Sequence, residues 1–341
     1  MKRVLGGYAL FALALAGVWG IDAWVIPHTD RYIADMLLRV ACTVISVIGL
    51  ALVVGFTGQF SLGHAGFMAV GAYGSATLAM SHGFPFPVAV FAGGLLAAVA
   101  GLLVGVPSLR LTGDYLAVVT LGFSQIINVA VLNLPMLGRA QGLIWSPLDI
   151  NFGWRPGEAG AWGELVYWWV PLKSNFGWCF TWLLLGLVFL RNVLRSRHGR
   201  TFAAVRDNEI ATRSLGINTT QVKVAAFVIG AFLAGVSGAL LAFNMGSVYP
   251  GQFETKASIE LLAMVVLGGI GSLSGPVLSA SVLMLLPEVL RGFAAYRMML
   301  YALLLIGMMI LRPKGLLGGR ELSDVIVAAY RKLRPATPRI P

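Results

Sequence analysis

Gln59, Ser61 and His64 lie in one short run, Gly58-Gln59-Phe60-Ser61-Leu62-Gly63-His64-Ala65-Gly66, between long apolar stretches. Their side chains offer hydrogen-bond donors and acceptors, but no metal-ligand spacing joins them to another histidine. His28, His64, His82 and His198 are far apart, and Cys42 and Cys179 form no CxxC pair. No Gly-Lys dipeptide occurs, so a phosphate-cradling GxxxxGK[ST] loop is missing, as are HExxH and GxSxG. No ladder of carboxylates suggests a proton relay. Gln125 and Asn128, three apart on one helical face, form a second polar pair. Gly268, Gly269 and Gly271 interrupt another apolar run, within Gly268-Gly269-Ile270-Gly271-Ser272 and Gly275-Pro276. These residues suit hydrogen bonding in an apolar setting, not catalysis.

The elements that must position them belong to a membrane protein. Of 341 residues, 58% are hydrophobic and 11% charged, less than half the roughly 25% charged share of soluble domains. The mean hydropathy is +0.82, which excludes a soluble globular enzyme. The net charge of +11 is not a nucleic-acid signature, because the basic residues gather in loops between apolar runs. No nucleic-acid partner is expected; the lipid bilayer is.

A membrane helix needs about 20 apolar residues. Met1-Lys2-Arg3 followed by Val4 to Ile21 resembles a signal peptide, but the apolar stretch continues through Trp24 to Pro27, so it reads as a retained first helix. Between Arg39 and Arg110 there is no Asp, Glu, Lys or Arg. That interval holds three spans, parted at Gly58-Gln59 and at Phe84-Pro85-Phe86-Pro87. Further runs are Tyr115–Gly138, Ser174–Leu190, Val224–Phe253, Leu261–Pro287, read as two short spans, and Met298–Leu311. The fold class expected is all-α, with about ten transmembrane helices, broken helices near the pathway and both termini cytoplasmic. That orientation places 17 of the 25 Lys and Arg residues inside, as the positive-inside rule requires. Seven of nine tryptophans fall between Trp145 and Trp182, which fits an interfacial belt or, alternatively, an aromatic clamp on a ligand. Glu288 and Arg291 make an ordinary helical pair.

Two domains are expected: a permease domain over 1–318, with a cytoplasmic loop at 191–223 inside it, and a basic cytoplasmic tail over 319–341. The loop reads RNVLRSRHGRTFAAVRDNEIATRSLGINTTQVK. Phe202, Val205, Ile210 and Leu215 among charges predict one short amphipathic helix over 201–215, ended by Gly216. Such a helix could lie on the bilayer or dock a partner protein.

The run GRTFAAVRDNEIATRSLGINTTQVKVAAFVIGAFLAGVSGALLAF (199–243) resembles the inner-membrane permeases of branched-chain amino acid ABC transporters, the LivM-type subunit in particular. GFTGQFSLGHAGFMAVGAYGSA (55–76), LTGDYLAVVTLGFSQII (111–127), LLAMVVLGGIGSLSGPVLSA (261–280) and PEVLRGFAAYRMMLYALLLIGMMILRPKGLLG (287–318) agree with it. The resemblance implies a multi-pass subunit of the bacterial inner membrane in an ATP-driven importer. Its implied partners are an H-type permease, two cytoplasmic ATPases and a periplasmic solute-binding protein. ATP is used by the partners, and no cofactor is implied for this chain. Urea and short-chain amide permeases look similar, so the solute stays open, and a self-contained channel or secondary transporter is the remaining rival.

The resemblance also implies that the loop is the EAA-type coupling segment. Glu209, Ala211 and Gly216 fall on its signature positions, with Arg206, Asp207 and Asn208 as the polar edge before them. The glycine lies seven positions after the glutamate instead of six. Leu137-Gly138-Arg139-Ala140-Gln141-Gly142 stands where relatives carry a Gly-Gly-Pro-Asn-Gly-like run, which puts the periplasmic contact in doubt. The loop at 143–165 and the tail from Arg320 have no clear counterpart.

Backbone that leaves the helical ladder inside a membrane must face protein or a watery cavity. Paired interruptions in two halves of a transporter point to its translocation site. Gln59, Ser61, His64, Gln125, Asn128, Gly268, Gly269 and Gly271 are therefore the candidate pathway residues. Close helix packing is the other reading of the glycines, and a satisfied structural histidine that of His64.

Overall fold

The computed structural model describes residues 2–82, 84–108, 114–145, 176–293, 296–311, 315–317 and 321. The tryptophans between Trp145 and Trp178, and the expected basic tail apart from Glu321, lie outside them. The described residues are all-α apart from one short two-stranded pairing. The helices are α1 (Lys2–Trp24), α2 (Arg31–Ala51), α3 (His64–His82), α4 (Phe86–Ser108) and α5 (Asp114–Asn133). They continue as α6 (Phe176–Arg195), α7 (Arg197–Asp207), α8 (Glu209–Ser214) and α9 (Thr219–Met245), then α10 (Thr255–Gly268), α11 (Ser274–Val289) and α12 (Arg297–Leu311).

Among the described residues, six stretches are long and apolar enough to cross a membrane: Tyr32–Phe56, Phe86–Ser108, Tyr115–Asn133, Phe176–Arg195, Thr219–Met245 and Ser274–Gly292. The chain is a multi-pass helical membrane protein. Helices α10 and α12 have 14 and 15 residues, about 22 Å of rise against an apolar bilayer core of about 30 Å. Helix α3 carries glycines, serines and two histidines among its apolar residues.

Helix α9 runs through the middle, packed against α2, α3 and α4. Small residues make this possible. Gly71, Gly93 and Gly235 meet where α3, α4 and α9 cross, and a Cβ on Gly71 would collide with the backbone of Gly235. Gly101 lies against the Ala231 methyl, 2.6 Å from where its own Cβ would stand, a second approach that a larger residue would block. Without a hydrophobic force between helices in lipid, such close backbone approach is a main source of association. The outer face of α4, with Phe91, Leu95, Leu103 and Val106, is exposed and suits acyl chains. Cys42 and Cys179 are buried and free.

Both expected helix breaks are present. Helix α2 widens into one π-turn over Leu52–Phe56 and stops. There the Thr57 hydroxyl donates to the Val53 carbonyl at 2.7 Å, the Gln59 amide donates to the same oxygen at 3.1 Å, and Gly58 turns at φ +68°. Helix α10 ends at Gly268, and Gly269 and Gly271 take φ +109° and +93° before α11 begins. Those left-handed values cost a side-chain-bearing residue about 1–2 kcal/mol. Gly271 therefore serves the turn and shares no helix face with Gly275.

The breaks, α7 and α8, and residues 315–317 gather at one end of the bundle through the contacts given below. Elsewhere, Leu143 and Ile144 pair antiparallel with Val248 and Ser247, joining the loop after α5 to that after α9. The atypical run 137–142 leads into this pairing, with Gly138, Arg139 and Gly142 all at positive φ. Near the same end, the Tyr32 hydroxyl donates to Glu288, and Arg291 pairs with Glu288 at 3.2 Å.

Candidate functional site

The polar segment between α6 and α9 is two helices, not the single one that its apolar spacing predicts. Asn208 divides them. Its backbone is extended (φ −160°, ψ +103°), and its side chain accepts from the Ala211 amide at 2.9 Å, capping α8. An asparagine that can bond its own backbone ahead competes well with continued helix. Gly216 ends α8 at φ +80°, its amide donating to the Arg213 carbonyl at 3.0 Å, as the sequence predicts. Asn218 then caps α9, accepting from the Gln221 amide.

The division separates the apolar residues. Phe202 and Val205 are 3% exposed and join the body, whereas Ile210 and Leu215 are 80% and 79% exposed. The expected common apolar face is therefore absent, because the turn at Asn208 rotates α8 relative to α7. Ala211 is also on the surface.

The charged residues of the segment point two ways. Arg206 reaches inward: its Nη1 donates to the Gly55 carbonyl at 3.1 Å, while Nε and Nη2 both donate to Asp207 Oδ1 at 3.0 and 2.9 Å. Glu209 accepts from the Lys223 ammonium at 2.6 Å and lies 3.5 Å from Arg213. Arg213 in turn donates to the Thr219 hydroxyl. Lys223 is 9% exposed. Its partnership with Glu209 was not foreseen, although a lone lysine at the start of a long apolar helix is a signal that a partner is near.

Burial pushes the Glu209 carboxyl up, but the Lys223 hydrogen bond and charge, aided by Thr219 and Arg213, outweigh it and hold the group below its ordinary value. A carboxyl lowered by folding stabilises at pH above its unfolded value and loses that contribution as pH falls through its folded one. The chain in detergent should thus lose stability, by at most about 1 kcal/mol after solvent screening, as the pH drops below the ordinary value of 4.5. Thermal unfolding across pH checks this. The Glu209→Gln variant should lack that part of the pH dependence, and an unchanged pH dependence would remove Glu209 as its source.

The candidate pathway residues are mostly inside the subunit. Gln59, Ser61 and His64 are all at most 4% exposed. The Gln59 amide donates to Thr57 at 2.7 Å and to the Lys223 carbonyl at 3.3 Å. His64 Nε2 donates to the Ser46 carbonyl at 3.0 Å, which fits the structural role of a satisfied histidine tying α3 to α2. Gln125 donates to Thr255 across α5 and α10. Gln59 Oε1, Ser61 Oγ, Ser124 Oγ and Asn128 Oδ1 are buried with no partner among the described residues. Ser124 and Thr120 are additions of the structure. Thr120 accepts from the Leu62 amide at 3.0 Å, and the Gly66 Cα side packs on Ser124. Their spacing from Asn128, i to i+4 to i+8, was the available signal.

At the second break, Gly268 and Gly269 are buried. The chain beyond α12 closes it: the Leu316 amide donates to the Leu267 carbonyl at 2.7 Å, and the Glu321 carboxylate accepts from the Leu273 amide at 2.8 Å and from the Ser274 hydroxyl at 2.7 Å. Glu321 thus supplies negative charge at the N-terminus of α11. Among the described residues, no cluster of three His, Cys, Asp or Glu could hold a metal.

A bundle of apolar helices, two of them ending in breaks beside a capped polar segment at one end, has the architecture of a multi-pass membrane protein. Residues 32–311 match the family described as branched-chain amino acid transport system / permease component. The permease protein LivM of a high-affinity branched-chain amino acid transport system, from Salmonella typhimurium, is 39% identical over 319 residues, covering 90% of this chain and 74% of that protein. The LivH permease of Escherichia coli is 33% identical over 132 residues, 38% of this chain and 42% of its own. An autoinducer 2 import system permease, LsrC of Klebsiella pneumoniae, is 38% identical over 96 residues, 28% of each chain. No solved structure matches. The chain belongs to the branched-chain amino acid permease family; it is a permease, not an enzyme.

Proposed function

We propose that this chain is the LivM-type permease subunit of an ATP-driven importer for branched-chain or related amino acids in a bacterial inner membrane. The observation that carries it is the capped α7–α8 segment, which turns Ile210 and Leu215 outward while Arg206 and Glu209 hold it to the membrane body. A rigid element with apolar residues outside and ionic ties inside can receive motion from one protein and pass it to another. Arg206, Asp207, Asn208, Glu209, Ala211 and Gly216 then form the coupling site for a cytoplasmic ATPase.

The working assembly contains an H-type permease, two ATPases and a periplasmic solute-binding protein. This chain holds no cofactor, and ATP is consumed by its partners. Ten membrane segments, α1–α6 and α9–α12, with both termini cytoplasmic, alternate so that the breaks, the coupling segment and residues 315–321 share the inner side. Their mutual contacts support that topology. Gln59, Ser61, His64, Gln125, Asn128, Gly268, Gly269 and Gly271 line or frame the pathway, and solute selection rests mainly with the binding protein. The atypical turn at 137–142 favours testing urea and short amides alongside amino acids.

Co-purification of the tagged chain from its native membrane should recover an ATPase and a second permease. The reconstituted complex should then take up leucine, isoleucine or valine only with ATP. Recovery of the chain alone, still transporting without ATP, would replace the importer with a channel or secondary carrier.

A further inference from the structure

We propose that Arg206 is an internal latch that ties the coupling segment to both helix breaks at once. Three observations converge on its side chain. Its Nη1 donates to the carbonyl of Gly55, in the π-turn that ends α2. Its Cγ lies 3.3 Å from where a Cβ on Gly58 would stand, and its Nη1 lies 2.6 Å from where a Cβ on Gly271 would stand. Gly58 belongs to the first break and Gly271 to the second, and both have positive φ.

The guanidinium is thus seated between two left-handed glycine turns from distant parts of the chain. Its orientation is set independently. Nε and Nη2 are both engaged by Asp207 Oδ1, which leaves Nη1 aimed at the Gly55 carbonyl. That carbonyl lies in the last turn of a helix, where carbonyls lack a following amide. A planar, permanently charged side chain fits this role better than lysine, since one edge can be held while the other donates. The Arg206 side chain is 30% exposed against 67% for Asp207, so Asp207 holds the guanidinium from its outer side.

A second tie reinforces the first break. Lys223 pairs with Glu209 while its carbonyl accepts from Gln59. Residues 315–317 and 321 close the second break from another direction. The two breaks also approach each other directly, the Gly271 amide nitrogen lying 3.4 Å from where a Cβ on Gly55 would stand, and the Arg206 side chain lies against both sides of that approach. A displacement of α7 therefore moves the two breaks together, and loss of the guanidinium loosens both from α7. Arg206 is a positioning residue, acting through backbone that it holds.

This inference deepens the importer reading, and one arm of its test does not depend on that reading. The chain alone, in nanodiscs, is compared as wild type, Arg206→Met and Arg206→Lys by amide hydrogen exchange. Arg206→Met should raise exchange at least tenfold in both 55–63 and 269–273, with the middle of α9 unchanged. Arg206→Lys, which keeps the charge on a single nitrogen but not the fork, should fall between. No change, or a change at one break only, would overturn the latch. So would faster exchange throughout the chain, which would make Arg206 a general stabiliser. In the complete reconstituted importer, solute taken up per ATP hydrolysed should fall at least fivefold with Arg206→Met and partly recover with Arg206→Lys. A wild-type ratio would overturn the transmission role. Lack of ATP-driven uptake by the wild type would instead count against the importer reading, leaving the exchange result to stand for the latch.

Discussion

Replacing Ile210 and Leu215 together by glutamate is expected to leave the chain folded and to weaken its hold on the proposed ATPase partner about 100-fold. Both side chains are about four-fifths exposed, so folding gains little from them. The helix that presents them is nevertheless fixed at both ends, by the Asn208 cap and by the turn at Gly216. A single exposed apolar residue is commonplace. Two on a short capped helix, opposite a pair of ionic anchors, are the residues a partner would cover. Burying one such side chain contributes about 1.5–3 kcal/mol. Losing both, and leaving carboxylates in an apolar recess, removes at least about 2.8 kcal/mol, or a factor of about 100 in affinity. Affinity of the solubilised chain for the purified ATPase, alongside its thermal unfolding, checks both halves. Unchanged affinity would place the ATPase contact elsewhere, and a large fall in stability would mean that these residues are packed in the folded chain.

The second large effect concerns the bundle itself. Gly71→Leu is expected to lower the unfolding temperature by about 10 °C or to prevent accumulation in the membrane, whereas Gly122→Leu should be nearly silent. At Gly71 the new Cβ would strike the backbone of Gly235 in α9, and Gly93 of α4 is so near that a Cβ on it would stand 2.6 Å from the Gly71 carbonyl oxygen. Backbone in the centre of three packed helices cannot rotate aside as a side chain does. Overpacking a good core costs about 1–3 kcal/mol, and here three helix pairs must separate together, so about 3 kcal/mol or more is expected. At about 2–4 °C per kcal/mol for larger domains, that gives the stated shift. Gly122 of α5 has nothing within 4 Å of an added Cβ, which makes it a control in a comparable apolar helix. Equal behaviour of the two variants, read by thermal aggregation of the solubilised protein, would show that the α3–α4–α9 crossing does not limit stability.

Much of the site was legible residue by residue. The breaks at Gly58-Gln59 and Gly268–Gly271, the stop at Gly216 and the polar segment itself were readable because glycine and polar side chains fail locally to sustain an apolar helix. The single helix over 201–215 was misread. Apolar spacing cannot register that Asn208 bonds the Ala211 amide and restarts the helix in a new direction. His64 is similar: its identity marked an unusual position, but nothing nearby in sequence announced Ser46 as the partner that satisfies it. Lys223 was visible as a charge at a helix start, and only folding brought it to Glu209.

Composition and local pattern alone mark this as a helical membrane protein, locate where its helices fail, and show that a basic polar segment interrupts the apolar runs. Those properties follow from composition and from the local cost of leaving backbone unpaired in lipid, so they need no knowledge of neighbours. Only the tertiary structure decided which residues of that segment face outward and that Arg206, 151 positions from Gly55, reaches two breaks at once. Such contacts depend on how close helices pack, and that closeness is set jointly by small residues on several helices, which no single stretch of sequence contains.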